Sequence, residues 1–188
     1  MLPTLSTERL TLVPLSDEHL PFEMVINADP QVQRYIMGRP ATRDEIVASH
    51  ARCLAMAARQ PPRGVWVGSL RDTDTPVGLW ALIPAEGDGA EREAELGYRL
   101  LPAYWHKGLA SDGGLAVLEY AFASQKLRRM TALSMRMHTA TRKTLERLGF
   151  VYVEDVPTET PQEHPEYEEL DALYELPAER WAASKAEA

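Results

Sequence analysis

Apolar and polar residues alternate around "ERLTLVPL" within residues 5–15, the period of a strand with one buried face. Ser16 stands where a helix cap is needed, with Asp17 and Glu18 in the electropositive first turn that follows. Asp29-Pro30 restarts a short helix, with Val32, Tyr35 and Ile36 as its apolar side. Thr42-Arg43-Asp44-Glu45 is a capping-box pattern. Ile46, Val47, Ala51, Leu54 and Ala58 then recur at helical spacing until Pro61-Pro62 ends the run. Strands are expected over 64–70, 77–83 and 94–101, separated by the turn-forming segment 71–76 and a loop with two glycines, 84–93. The period becomes helical over 108–126, returns to a buried strand over 129–135, and is helical again over 141–148, where Gly149 serves as the C-terminal cap glycine. Strands over 150–156 and 170–176 flank a polar, proline-bearing loop. The order predicts an α/β fold, a mixed sheet with helices on its faces.

Composition narrows the class. With 188 residues, 45% apolar and 26% charged, the chain fits a single domain, 1–188, with one sizeable core. Residues 177–188 are expected to form a partly disordered tail. No apolar stretch reaches the roughly 18 residues of a membrane span, and residues 1–5 lack the basic start of a signal peptide. Cys53 is the sole cysteine, so an internal disulfide is excluded, and a reducing, cytoplasmic setting is expected. A net charge of −8 disfavours nucleic acid as a partner and favours a small amine-bearing one. Histidines at 19, 50 and 164 show no metal-ligand spacing, so no metal is expected.

The segment most suggestive of chemistry runs from a strand at Glu95 through Pro102 and Trp105-His106-Lys107-Gly108-Leu109-Ala110-Ser111 into a helix. The free N–H groups and positive dipole end of that helix attract anions. Gly108 and Ala110 leave the backbone open, Lys107 adds charge, and Ser111 can donate a hydrogen bond. The segment has neither the three glycines of a Rossmann fingerprint nor a Walker A Gly-Lys-Ser/Thr. By itself it also reads as a plain strand-to-helix turn.

In context the segment resembles motif A of the GNAT superfamily of N-acetyltransferases, Gln/Arg-x-x-Gly-x-Gly/Ala, with Trp105 in the Gln/Arg place and then Gly108 and Ala110. Tyr104 to Ala110 is similar to the Tyr-Trp-Gly-Lys-Gly-x-Ala of the branch that acetylates ribosomal-protein N-termini, with His106 for one Gly. "TERLTLVPL", "ELGYRL", "RKTLERLGF" and "ALYELPAERW" resemble other parts of that branch in the same order. The resemblance implies a mostly antiparallel central sheet with one splayed parallel strand pair, helices on both faces, and acetyl-CoA as co-substrate. It implies that residues 106–111 (His106, Lys107, Gly108, Leu109, Ala110, Ser111) hold the pyrophosphate. The backbone of Tyr98, Arg99 and Leu100 would meet the pantetheine arm or thioester. A homodimer is compatible with the branch.

Catalytic roles are expected for Glu95, Thr141 and His138. Glu95 can take the proton of an attacking amine, directly or through water. It reads equally as a strand-end carboxylate in an ion pair, for example with Arg99. Thr141 and His138 replace the Ser and Asn of the family's Asn-x-x-Ser. Thr141 keeps a hydroxyl near the thiolate. His138 is either a proton donor titrating near neutrality or a positional substitute at a helix start. His106 would lie near phosphates that favour its charged form. Trp66, Trp80 and Cys53 read as core residues, with an aromatic acceptor wall as the alternative for the tryptophans. The acidic run from Glu154 to Asp171 reads as a solvated loop or as an entrance that attracts a cationic amine. The expected reaction is acetyl transfer to a primary amine, on a protein N-terminus or a small molecule. The competing expectation is a non-catalytic acyl-CoA-binding module.

Overall fold

The computed structural model describes residues 2–85, 87, 90–158 and 170–186. Thr7 interrupts the first apolar run, because its hydroxyl accepts hydrogen bonds from the N–H groups of Arg9 (3.1 Å) and Leu10 (2.8 Å). Such local bonds compete with a strand ladder. The strand expected over 5–15 is therefore a short antiparallel pair, β1 (Leu5–Ser6) and β2 (Leu10–Pro14).

Ser16 opens a single 3-10 turn, and α1 (Leu20–Ala28) continues it. The Asp29 carboxylate accepts from the N–H groups of Gln31 and Val32 and starts α2 (Pro30–Gln33). The capping box of Thr42 and Glu45 closes as expected and starts α3 (Arg43–Arg59).

The sheet continues with β3 (Gly64–Leu70), β4 (Pro76–Pro84) and β5 (Glu93–Leu100), each antiparallel to the last. The helix expected over 108–126 is α4 (Leu109–Glu119), which relaxes into a π turn over Tyr120–Ser124. Beyond it lie β6 (Arg129–Met135), α5 (Thr139–Arg147), β7 (Val151–Pro157) and β8 (Leu170–Pro177). The eight strands order as β1-β2-β3-β4-β5-β6-β8-β7, so the last strand inserts between β6 and β7. β5 and β6 are the parallel pair. The tail expected to be partly disordered instead forms α6 (Ala178–Ala186), anchored by the buried Trp181 ring stacked on Phe122 at 5.5 Å.

Each sheet face carries its own core. Trp66 and Trp80 stand opposite each other in the β3–β4 register and are fully buried, with Leu82, Leu96 and Leu100, under α4. They are core residues and form no acceptor wall. The opposite face packs Val65, Val67 and Leu79 against Ile26 and Val32 of the α1–α3 layer. Gly113 of α4 lets the helix press onto Trp80, since a Cβ there would stand 2.4 Å from Trp80 Cε2. Among the described residues no helix is long and apolar enough to cross a membrane.

Candidate active site

β5 and β6 pair only at Glu93–Arg129, Ala94–Met130 and Glu95–Thr131. Beyond Glu95 they diverge, and among the described residues the β5 edge from Leu96 to Leu100 has no strand partner on the β6 side. Glu93, buried at the closed end, fastens the pair. One of its carboxylate oxygens accepts from Arg128 (Nη2 at 2.5 Å) and the other from Arg129 (Nη2 at 2.6 Å). Burial opposes ionisation of Glu93, but the two guanidiniums outweigh it and hold the carboxyl below its ordinary value. The split opens into a cavity of about 1760 Å³ lined from both strands, from α4 and α5, and from the α2–α3 side. A small-ligand pocket measures roughly 300–1,000 Å³. The cavity has room for two substrates at once.

At one end lies the N-terminus of α4. Gly108 adopts φ 75°, a left-handed conformation open to glycine, and His106 adopts φ 59°. Asp112 is the first residue of the turn to bond back, to the Gly108 carbonyl at 3.0 Å. The N–H groups of Leu109, Ala110 and Ser111 thus lack partners inside the helix and make a cradle open to an anion, with Lys107 exposed beside them. Asp112 would repel an anion there, but its carboxylate is drawn aside. Thr7 donates to it at 2.7 Å and the Arg9 guanidinium lies at 3.4 Å. Arg9 also donates to the carbonyls of Lys107 (2.8 Å) and Gly108 (3.3 Å), pinning the loop to the β1–β2 turn. Sequence reasoning missed Arg9. Nothing local marks it, because its partners lie about a hundred positions away. Trp105, in the place of the family's Gln/Arg, donates its indole N–H to the Leu100 carbonyl at 2.7 Å and fastens the loop to the end of β5.

Along β5 the side chains alternate between faces. Tyr98 points into the α4 core and donates to the Thr141 carbonyl at 3.4 Å, and burial pushes its phenol up to about 12. Glu95, Gly97 and Arg99 take the other face, toward the α1–α3 layer, and all three line the cavity. Thr141, the third residue of α5, lines it from the β6 side.

His138 is the residue before α5 and lies against Tyr35, ring centroids 4.0 Å apart. Burial pushes its imidazole down to about 4, which corrects the expectation of titration near neutrality. At neutral pH it is an uncharged ring and a helix-start residue. Cys53 is half-buried in the cavity wall, and burial pushes its thiol up, away from thiolate chemistry. The sequence also gave no sign that His50 joins two acids. Its Nδ1 lies 2.5 Å from a Glu23 oxygen and its Nε2 3.2 Å from an Asp17 oxygen. Asp155 pairs with Arg136 at 3.3 Å, while residues 159–169 of the acidic run lie outside the described residues. No metal-binding cluster of three or more His, Cys, Asp or Glu forms among the described residues.

Comparison with known proteins agrees with this geometry. The family described as acetyltransferase (GNAT) domain matches residues 9–151. The FsC-acetyl coenzyme A-N(2)-transacetylase of Aspergillus fumigatus is 33% identical over 185 residues, covering 95% of this chain and 78% of that protein. A GNAT-family acetyltransferase from Bacillus anthracis superposes with a TM-score of 0.77 at 20% identity, covering 94% of this chain and 99% of that one. Spermidine N-acetyltransferase from Vibrio cholerae, solved with CoA and spermine, superposes at 0.76 with 18% identity, covering 92% and 98%. The chain therefore belongs to the GNAT acetyltransferase family and is an acyl-CoA-dependent N-acetyltransferase.

Proposed function

We propose that the chain transfers acetyl from acetyl-CoA to a primary amine by direct attack in a ternary complex. The observation that carries this reading is the divergence of β5 from β6 after Glu95, opening between the α4 cradle and the α1–α3 face. The N–H groups of Leu109, Ala110 and Ser111 hold the pyrophosphate, with His106, Lys107 and Gly108 shaping the approach. The pantetheine arm runs along the unpartnered edge of β5 at Tyr98, Arg99 and Leu100, as an added strand would. A backbone N–H there polarises the thioester carbonyl. The amine enters from the α1–α3 face, and Glu95, directly or through a water, takes its proton. As the tetrahedral intermediate collapses, the C–S bond breaks and the Thr141 hydroxyl relays a proton from solvent to the CoA sulfur, ending the step as a hydroxyl again. His138 positions the start of α5 and carries no proton in this scheme. No covalent enzyme intermediate is needed, consistent with the protonated Cys53 thiol.

The Aspergillus relative is named for transfer to an N(2) atom, which supports a nitrogen acceptor. Calorimetry with acetyl-CoA, followed by thiol release across an amine panel, tests the scheme. Binding with release on at least one amine is expected. Binding with no release on any amine would identify a non-catalytic acyl-CoA-binding module.

A further inference from the structure

Glu95, Gly97 and Arg99 form a row on the cavity face of β5, an anion and a cation separated by a residue with no side chain. An added Cβ on Gly97 would meet only Ile83 Cδ1 at 3.5 Å and Ala81 Cβ at 3.7 Å. The floor between the two charges is therefore bare backbone with ordinary room above it.

Arg99 is the unexplained member of the row. Among the described residues its Nε, out of contact with solvent, has no hydrogen-bond partner, and none forms an ion pair with its guanidinium. Arg99 is half-buried, and its two terminal nitrogens, which have no hydrogen bond to a described residue, are left to the cavity that Arg99 lines. A guanidinium drawn partly out of water without a partner is costly. The acid that acts on it through space is Glu23, almost fully buried beneath the same face. Glu23, however, is committed to His50 at 2.5 Å, and His50 bridges onward to Asp17. The helix layer therefore offers Arg99 a distant, already shared carboxylate and no direct one. Tyr35, Ile36, Cys53 and Met56 add no carboxylate to the surrounding wall, and Arg52 beside them adds a second cation.

We infer that Arg99 is a specificity-determining residue that binds an anionic group, a carboxylate by its fork geometry, on the acceptor, so that the acceptor is an amine carrying its own carboxylate. Guanidinium and carboxylate match as a two-pronged pair. Such an acceptor lies across Gly97 with its amine toward Glu95 and its carboxylate toward Arg99. The Cα positions of the two charged residues are separated by four strand rises, roughly 13 Å, before their side chains reach inward. Both side chains are long enough to lean toward each other across Gly97 and bracket an amino acid, whereas Arg99 would repel a polycation. The inference rests on the acetyl-transfer reading above and supplies the acceptor class that reading leaves open.

The test uses the full chain, acetyl-CoA, and matched acceptors: a series of free amino acids of increasing chain length including ornithine and lysine, the same compounds as carboxamides, and spermine. Thiol release gives kcat and KM for each. Wild type is expected to favour acids over their amides by about 10- to 100-fold in kcat/KM, the range for one hydrogen-bonded charge contact. The preference should reside mainly in KM. In Arg99→Gln the acid-to-amide ratio should collapse toward one, and Arg99→Lys should restore part of it. Acetyl-CoA affinity, measured on the same samples, separates damage to the cofactor site. Amides or spermine used as well as the acids by wild type would overturn the role of Arg99 while leaving acetyl transfer standing. An unchanged ratio in Arg99→Gln would overturn it too. Acetyl-CoA binding without release on any acceptor would overturn the transfer reading and this inference with it.

Discussion

Glu95 and Glu93 sit two positions apart on the same face of the same strand, yet their surroundings assign them different work. Glu93 is locked between two guanidiniums at the closed end of the strand pair, where its charge stabilises the junction and its oxygens are occupied. Glu95 stands where the strands part and lines the cavity. A general base contributes about 10²- to 10⁴-fold to rate. Glu95→Gln should therefore lower kcat by about 100-fold or more while leaving acetyl-CoA affinity within a factor of two or so, because the amide keeps the shape and loses only the proton acceptor. Thiol release at saturating acetyl-CoA, with calorimetry on the same variant, separates the two effects. An equal fall in affinity would mean that Glu95 organises the cofactor site instead. What holds Glu93 was not legible in the sequence. Glu95 was singled out by its place on the strand, but the engagement of Glu93 was hidden, because its partners Arg128 and Arg129 lie some 35 positions away.

At the scale of elements, strongly periodic segments with their own punctuation were legible. The capping box at Thr42 and Glu45, the Asp29-Pro30 start and the Gly108 helix entry all fall where their chemistry placed them. Elements set by distant partners were not. The hairpin break at Thr7 depends on a hydroxyl turning inward, and α6 depends on Trp181 finding Phe122. The insertion of β8 between β6 and β7 leaves no local signal. Two variants probe the long-range pieces. Arg9→Ala removes the tether on the Lys107 and Gly108 carbonyls and uncovers the Asp112 charge beside the anion cradle. It should weaken acetyl-CoA binding by about 3- to 10-fold, as loss of a partly exposed charge-assisted contact of about 1 kcal/mol implies. Its Tm should barely move. Gly113→Ala should do the reverse. The new methyl would overlap the Trp80 indole, and overpacking of this kind costs about 1–3 kcal/mol. Urea denaturation would read that loss, and a neutral result would show that α4 can lift off the sheet.

For the molecule as a whole, the buried His50 and the half-buried His138 pull stability in opposite directions with pH. His138 is half-buried against Tyr35, and the partial loss of water holds its folded value at about 4, below the ordinary 6.5. Between those values the unfolded chain binds a proton that the folded chain refuses, so stability falls as pH drops from 6.5 toward 4. The gap corresponds to about 3 kcal/mol, at about 1.4 kcal/mol per unit. His50 is the converse. Burial disfavours its charge, but Glu23 and Asp17 outweigh that and raise its value above 6.5. Its contribution is complete below 6.5 and is lost as pH rises through the higher folded value. Glu93, held below its ordinary 4.5, adds a further loss only at more acid pH. Stability should thus peak near neutrality and fall on both sides. His138→Asn restores the residue type the family pattern carries at this helix start and removes the titrating ring. Urea midpoints measured from pH 8 to 4 should show the variant keeping its stability between 6.5 and 4.5, where wild type declines, while the alkaline limb stays in place. Parallel curves for the two proteins across that acid window would mean that the His138 ring takes up its proton as readily folded as unfolded, and would refute its burial against Tyr35.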